Sequence, residues 1–156
     1  MNNKLEFVGC EKIVNLPLIA NIFLYIILAC MSITIISVLW WQVQVLKGKA
    51  MKNPDGTFDD WHKQKIFYGI AIADIFVAIP TTLAGIIMIL LDVPWGFYIL
   101  ALASFWFVWS NIMTTATSLR FEKPKMSIGW FIVYPFGTLV GLAYIIWSII
   151  HFNLIY

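Results

Sequence analysis

Asp74 is the only charged side chain set well inside a long apolar run of this 156-residue sequence, the run from Ile66 to Leu91. An isolated carboxylate in hydrocarbon costs about 2.5 to 3.5 kcal/mol at a helix centre. It has to be protonated, hydrogen-bonded, hydrated or paired. Asn111 is the best neutral partner by depth and Arg120 the best cationic one, although Arg120 starts near the end of its run and has to reach inward. One chemistry that fits is a proton or cation site, or the polar end of a small-ligand pocket. The structural alternative is a protonated Asp74 bonded to Asn111 or Thr115 that fixes helix register.

Other constellations carry less. His62 and His151 fall at opposite ends of the apolar runs, so one chain cannot bring both to a single haem iron. Asp55, Asp59, Asp60 and His62 offer oxygen and imidazole donors, but their spacing matches no closed zinc or EF-hand pattern. Asp59, Asp60 and His62 therefore read as a solvated loop, Asp59 and Asp60 doubling as a helix start, and no metal is expected. Cys10 and Cys30 form no CxxC pair, so Cys30 reads as a packed, inert thiol. No phosphate loop, HExxH, GxSxG or paired intramembrane carboxylate is present. Trp106 and Trp109 read first as packing and second as walls of a ligand cavity.

The elements that must position these residues are set by composition. The chain is 62% apolar and 12% charged, with a mean hydropathy of +0.88, against roughly 25% charged in a soluble domain. That excludes a soluble enzyme, a disordered tail, a disulfide scaffold and a nucleic-acid binder. Four runs, residues 16–43, 66–91, 95–119 and 128–152, reach the length of about 20 residues that a helix needs to cross a bilayer. They are unbroken rather than alternating, which points to helices and not to a barrel. The fold class expected is an all-α integral membrane protein, an antiparallel four-transmembrane-helix bundle forming one membrane domain over 1–156.

Heptad reading of the second run puts Ala71, Asp74, Ala78, Thr81, Gly85 and Met88 on one face. Ser104, Asn111, Thr115 and Ser118 make a similar stripe in the third run, and Tyr134, Gly137, Thr138, Gly141 and Ser148 in the fourth. Such faces allow close approach and interhelical hydrogen bonds, and Gly137 with Gly141 forms a GxxxG that can serve packing within the chain or an oligomer contact. Counted from Lys65, Arg120 and Ser127, the residues Asp74, Asn111 and Tyr134 lie nine, nine and seven positions in, which is roughly 10 to 14 Å. They share one level. Thr34 and Ser37 fall near it, and Pro80 and Pro135 are expected to kink their helices there.

The linker 44–65 and the linker 120–127 carry eight of the ten Lys and Arg residues, and the opposite side carries Lys4 and Lys12. By the positive-inside rule both linkers are cytoplasmic and both termini outside. Trp40, Trp41, Trp61, Tyr68 and Trp130 read as an inner aromatic belt, and Trp95, Tyr98 and Trp147 as an outer one. Asp92, in the tight turn before Pro94, reads as an N-cap of the third helix. No cleavable signal precedes the first run, which fits a multi-pass protein of a prokaryotic plasma membrane.

The function expected is noncatalytic: binding of a proton, cation or small polar ligand in an inner-leaflet pocket formed by Asp74, Asn111, Thr115, Tyr134 and Arg120, as a transporter or channel subunit. One alternative is an accessory or assembly subunit using Gly137 and Gly141 against a second copy or another membrane protein. Another is a membrane enzyme acting on a lipid or quinone with an unseen cofactor. No cofactor is expected. The partner expected is the lipid bilayer, and nucleic acid is not.

Overall fold

A computed structural model of the chain describes residues 16–47, 65–122 and 126–155. The acidic loop residues Asp59, Asp60 and His62 lie outside the described residues, as does Cys10. The described chain is almost wholly helical, with four helical stretches long and apolar enough to cross a membrane. The first is α1, Leu18–Leu46. The second runs through α2 (Lys65–Ala73), a π turn (Asp74–Ala78) and α3 (Ile79–Leu90). The third is α4 (Trp95–Thr117), continued by a second π turn over Ser118–Glu122. The fourth is α5 (Ile128–Val133) and α6 (Pro135–Ile150), followed by the single turn α7 (Phe152–Ile155).

Contacts fix the directions of these helices. Trp147, late in α6, donates its indole N–H to the carbonyl of Ala20, early in α1, at 3.1 Å. Tyr144 donates its hydroxyl to the carbonyl of Phe97, early in α4, at 3.0 Å. Gln42, late in α1, meets Asp74, early in the second stretch. Each helix therefore runs against its neighbours around a closed ring of four. One core, containing Leu24, Leu28, Met31, Ile86, Leu100, Tyr144 and Trp147, fills the half that holds these two aromatic bonds. Trp147 is thus a buried cross-link and not a belt residue, because its N–H finds a backbone partner inside.

The Gly137–Gly141 face packs on α4 of the same chain. A Cβ on Gly141 would lie 2.8 Å from the carbonyl oxygen of Ser104, and one on Gly137 would lie 2.5 Å from the amide nitrogen of Asn111. At Gly141 the obstacle is backbone, so only hydrogen fits; at Gly137 it is the Asn111 amide, which would have to move.

The turn between the second and third stretches differs from expectation. Asp92 has φ 56°, the left-handed region, its N–H bonds the carbonyl of Ile89, and that of Val93 bonds the carbonyl of Met88. This is a Schellman closure of α3, and Pro94 occupies the N-cap of α4 with no side-chain cap. Asp92 ends one helix and does not start the next. Asp tolerates the left-handed conformation better than most residues, so the same local chemistry serves the opposite end. Ser127, in contrast, caps α5 by accepting from the N–H of Trp130 at 3.1 Å.

The second stretch follows the expected face fully only as far as the π turn. Ala71, Asp74 and Ala78 are buried, and beyond them Gly85 stays buried, but Thr82, Ile86 and Ile89 are buried in place of Thr81 and Met88. Ile79 donates to the carbonyl of Asp74, five residues back. The extra residue in that turn slides the buried face by one position. The wider turn also accommodates Pro80, whose ring would press on the carbonyl of Phe76 in a straight helix.

Replacement of Gly141 by Val is expected to lower unfolding stability in detergent by about 1 to 3 kcal/mol, the usual range for forced overpacking. Gly69→Ala is the control, because nothing lies within 4 Å of its Cβ position. Equal thermal transitions for the two variants would contradict the close α4–α6 contact.

Candidate functional site

At the end of the bundle opposite Trp147, the helices leave a cavity of about 70 Å³. A buried water requires about 10 to 15 Å³ on this measure, so there is room for several. Its polar lining comes from every stretch: Thr34, Ser37 and Gln42 from α1, Asp74 from the π turn, Ser110, Asn111 and Thr114 from α4, and Tyr134 from the α5–α6 junction. Trp41, Trp106 and Phe107 supply aromatic wall.

Asp74 is 5% exposed. Its Oδ2 accepts from Nε2 of Gln42 at 2.6 Å and its Oδ1 accepts from Nε1 of Trp106 at 3.0 Å. Both donors are neutral. Among the described residues no ion pair reaches the carboxyl. A carboxylate has about four lone-pair positions, so two are left after these bonds. Hydrogen bonds between membrane helices average about 0.6 kcal/mol and reach about 1.7, so a pair contributes about 1 to 3 kcal/mol against the insertion cost of about 2.5 to 3.5. The two bonds offset part of that cost, and both come from neutral donors.

The expected partners of Asp74 are therefore corrected. Asn111 lines the same cavity, but its amide N–H goes to the carbonyl of Phe107 in its own helix at 2.9 Å. Thr115 does not line the cavity, and its Oγ1 is buried without a hydrogen-bond partner among the described residues. The carbonyl of Asn111, the usual acceptor four residues back, takes the Thr114 hydroxyl at 3.3 Å. Arg120 sits exposed in the second π turn, away from the cavity. Tyr134 is buried at the break before Pro135, where its φ of −103° and ψ of −74° leave the helical path. Its ring meets Trp41 edge-on at 6.4 Å and stacks on Trp130 at 5.6 Å.

Of the five residues expected to form the site, Asp74, Asn111 and Tyr134 share the cavity. Gln42, Trp41 and Trp106 are the additions. Gln42 was legible, since it continues the seven-residue spacing of Leu28 and Ile35, both buried. Trp41 and Trp130 match a belt by type and position. They turn inward instead, Trp130 donating to Ser118 Oγ at 3.0 Å. Trp109 is largely exposed beside Trp106, its ring 5.3 Å away.

Compared with protein-family models, curated proteins and solved structures, the chain matches none.

A double-mutant cycle on unfolding separates the observed partner from the expected one. Gln42→Ala combined with Asp74→Ala should show a coupling of about 0.6 to 1.7 kcal/mol, and Asn111→Ala with Asp74→Ala less than half of that. The reverse order would mean that Asn111 holds the carboxyl.

Proposed function

We propose that the chain is an integral membrane protein whose inner-leaflet cavity takes a proton, a cation or a small polar ligand, in the manner of a carrier or channel subunit. The observation that carries this reading is Asp74: a buried carboxyl held by two neutral donors beside a hollow with room for water. A carboxylate so held keeps its demand for a positive partner, and the cavity is where that partner can come and go. A purely structural Asp needs no hollow.

Membrane residence is supported by the outward face of all four stretches. Phe23, Phe76, Phe105 and Ile149 are among many large apolar side chains left exposed, far more than a water-facing surface tolerates. The eight-to-two distribution of Lys and Arg assigns the 44–65 and 120–127 linkers to the cytoplasm and both termini to the outside of a plasma membrane. The cavity then opens toward the cytoplasmic half, since Gln42 and Asp74 lie near the ends that lead into the first linker.

Orientation is checked by labelling. With Cys10 and Cys30 replaced by Ser, a single cysteine at Val93 should react with an impermeant maleimide from outside intact cells, and one at Ser127 only after permeabilisation. Labelling of both from one side would overturn the four-span topology.

The functional reading is checked in reconstituted vesicles. The wild-type protein should bind or carry protons or cations saturably, and Asp74→Asn should lose that activity while keeping its helix content and most of its thermal stability. An Asn variant indistinguishable from the parent in both assays would leave the cavity without a role.

A further inference from the structure

We propose that the ligand of the Asp74 cavity is a small alkylammonium ion that keeps at least one N–H; this deepens the cation-binding reading given above and rests on it. Charge is the first reason. Gln42 and Trp106 donate to Asp74 and no ion pair reaches it among the described residues, so the ionised carboxyl has no counter-charge in the bundle and a cation in the cavity supplies one.

The walls decide which kind of cation. Trp41, Trp106 and Tyr134 all line the cavity, and an aromatic wall suits a weakly hydrated organic cation better than a strongly hydrated metal ion. A hard metal ion requires six or more oxygen ligands, several of them usually carboxylates. Here Asp74 is the single carboxylate lining the cavity. No cluster of three metal-ligating side chains occurs among the described residues. The donor set is poor for a metal and good for an ammonium.

Size and hydrogen bonding narrow the class further. At 10 to 15 Å³ per water-sized group, a 70 Å³ cavity admits an ion of about five heavy atoms. The two lone-pair positions left on Asp74 call for a donor. A tertiary or less substituted ammonium donates an N–H to Asp74 while its methyl groups lie against the aromatic wall. A quaternary ion has no N–H to give.

The test uses the full-length protein in lipid nanodiscs at constant ionic strength and pH. Trimethylammonium, tetramethylammonium and sodium chlorides are titrated, with tryptophan fluorescence and calorimetry as readouts. Trimethylammonium should bind saturably, at least tenfold tighter than tetramethylammonium or sodium. Asp74→Asn should abolish binding, Trp41→Leu should weaken it at least tenfold, and Trp41→Phe should restore most of the loss, which separates a ring contact from a folding defect. Tetramethylammonium binding as tightly as trimethylammonium would overturn the N–H requirement and with it the proposal. Asp74-dependent binding of sodium or protons without trimethylammonium would overturn the ammonium assignment and leave the cation site standing. Absence of every one of these signals would remove both.

Discussion

A carboxyl placed in an apolar bundle must find donors, and it can find them only on other helices. That constraint organises the half of this molecule in which Asp74 sits. Most of the other polar side chains are satisfied within their own helix: Thr34, Thr82, Ser104 and Asn111 each donate to the carbonyl four residues back. Such bonds place no demand on neighbours. Asp74 is an acceptor when ionised, so Gln42 must come from α1 and Trp106 from α4. Three stretches are thereby tied at one level, and the fourth closes the level through Tyr134.

The two halves of the bundle solve the packing problem differently. In the half that holds Trp147, bulky side chains interlock. Tyr144, Met31 and Leu100 are fully buried there, and the cross-helix bonds of Tyr144 and Trp147 end on backbone carbonyls. Gly141 lets α6 approach α4 until a methyl group could not be inserted. Such a contact leaves no hollow. The Asp74 half has mixed side chains of unequal reach, two long indoles and short hydroxyl residues, and these cannot fill the space between them. An apolar half, with an apolar groove between α1 and α6, beside a half with a polar hollow confines the polar chemistry to the Asp74 level.

Much of this was legible in the residues themselves. Run length gave four helices, and the level shared by Asp74, Asn111 and Tyr134 followed from counting at 1.5 Å per residue. Partner identity was less legible. Asn111 has the right type and depth, but a helical Asn can satisfy itself on its own backbone, as it does on Phe107, and depth alone does not reveal this; Thr115 has the depth but does not line the cavity. Trp41 and Trp130 failed for another reason: a tryptophan near an interface has the same sequence signature whether its indole faces headgroups or the inside of the bundle. The slide from Thr81 to Thr82 needed the π turn, which no periodicity of 3.5 or 3.6 contains. Pro80 announced an irregularity without giving its form.

Both irregular turns that interrupt the spans border the cavity. The π turn begins at Asp74, and the path of the fourth stretch breaks at Tyr134, each followed within six residues by the proline that a straight helix would exclude. Backbone that leaves the regular helix cannot face lipid, because its freed carbonyls find no donor there. It can face a polar hollow. The same argument runs in the other direction, since a helix that widens or breaks no longer lies flush against its neighbours. The prolines and the carboxyl therefore support one another. The prolines force irregular turns that need polar surroundings, and the polar residues at that level supply surroundings in which an irregular turn is stable. Removing Asp74 alone would leave two distorted helices around a hollow with less reason to be wet, so the charge and the backbone geometry belong to one device.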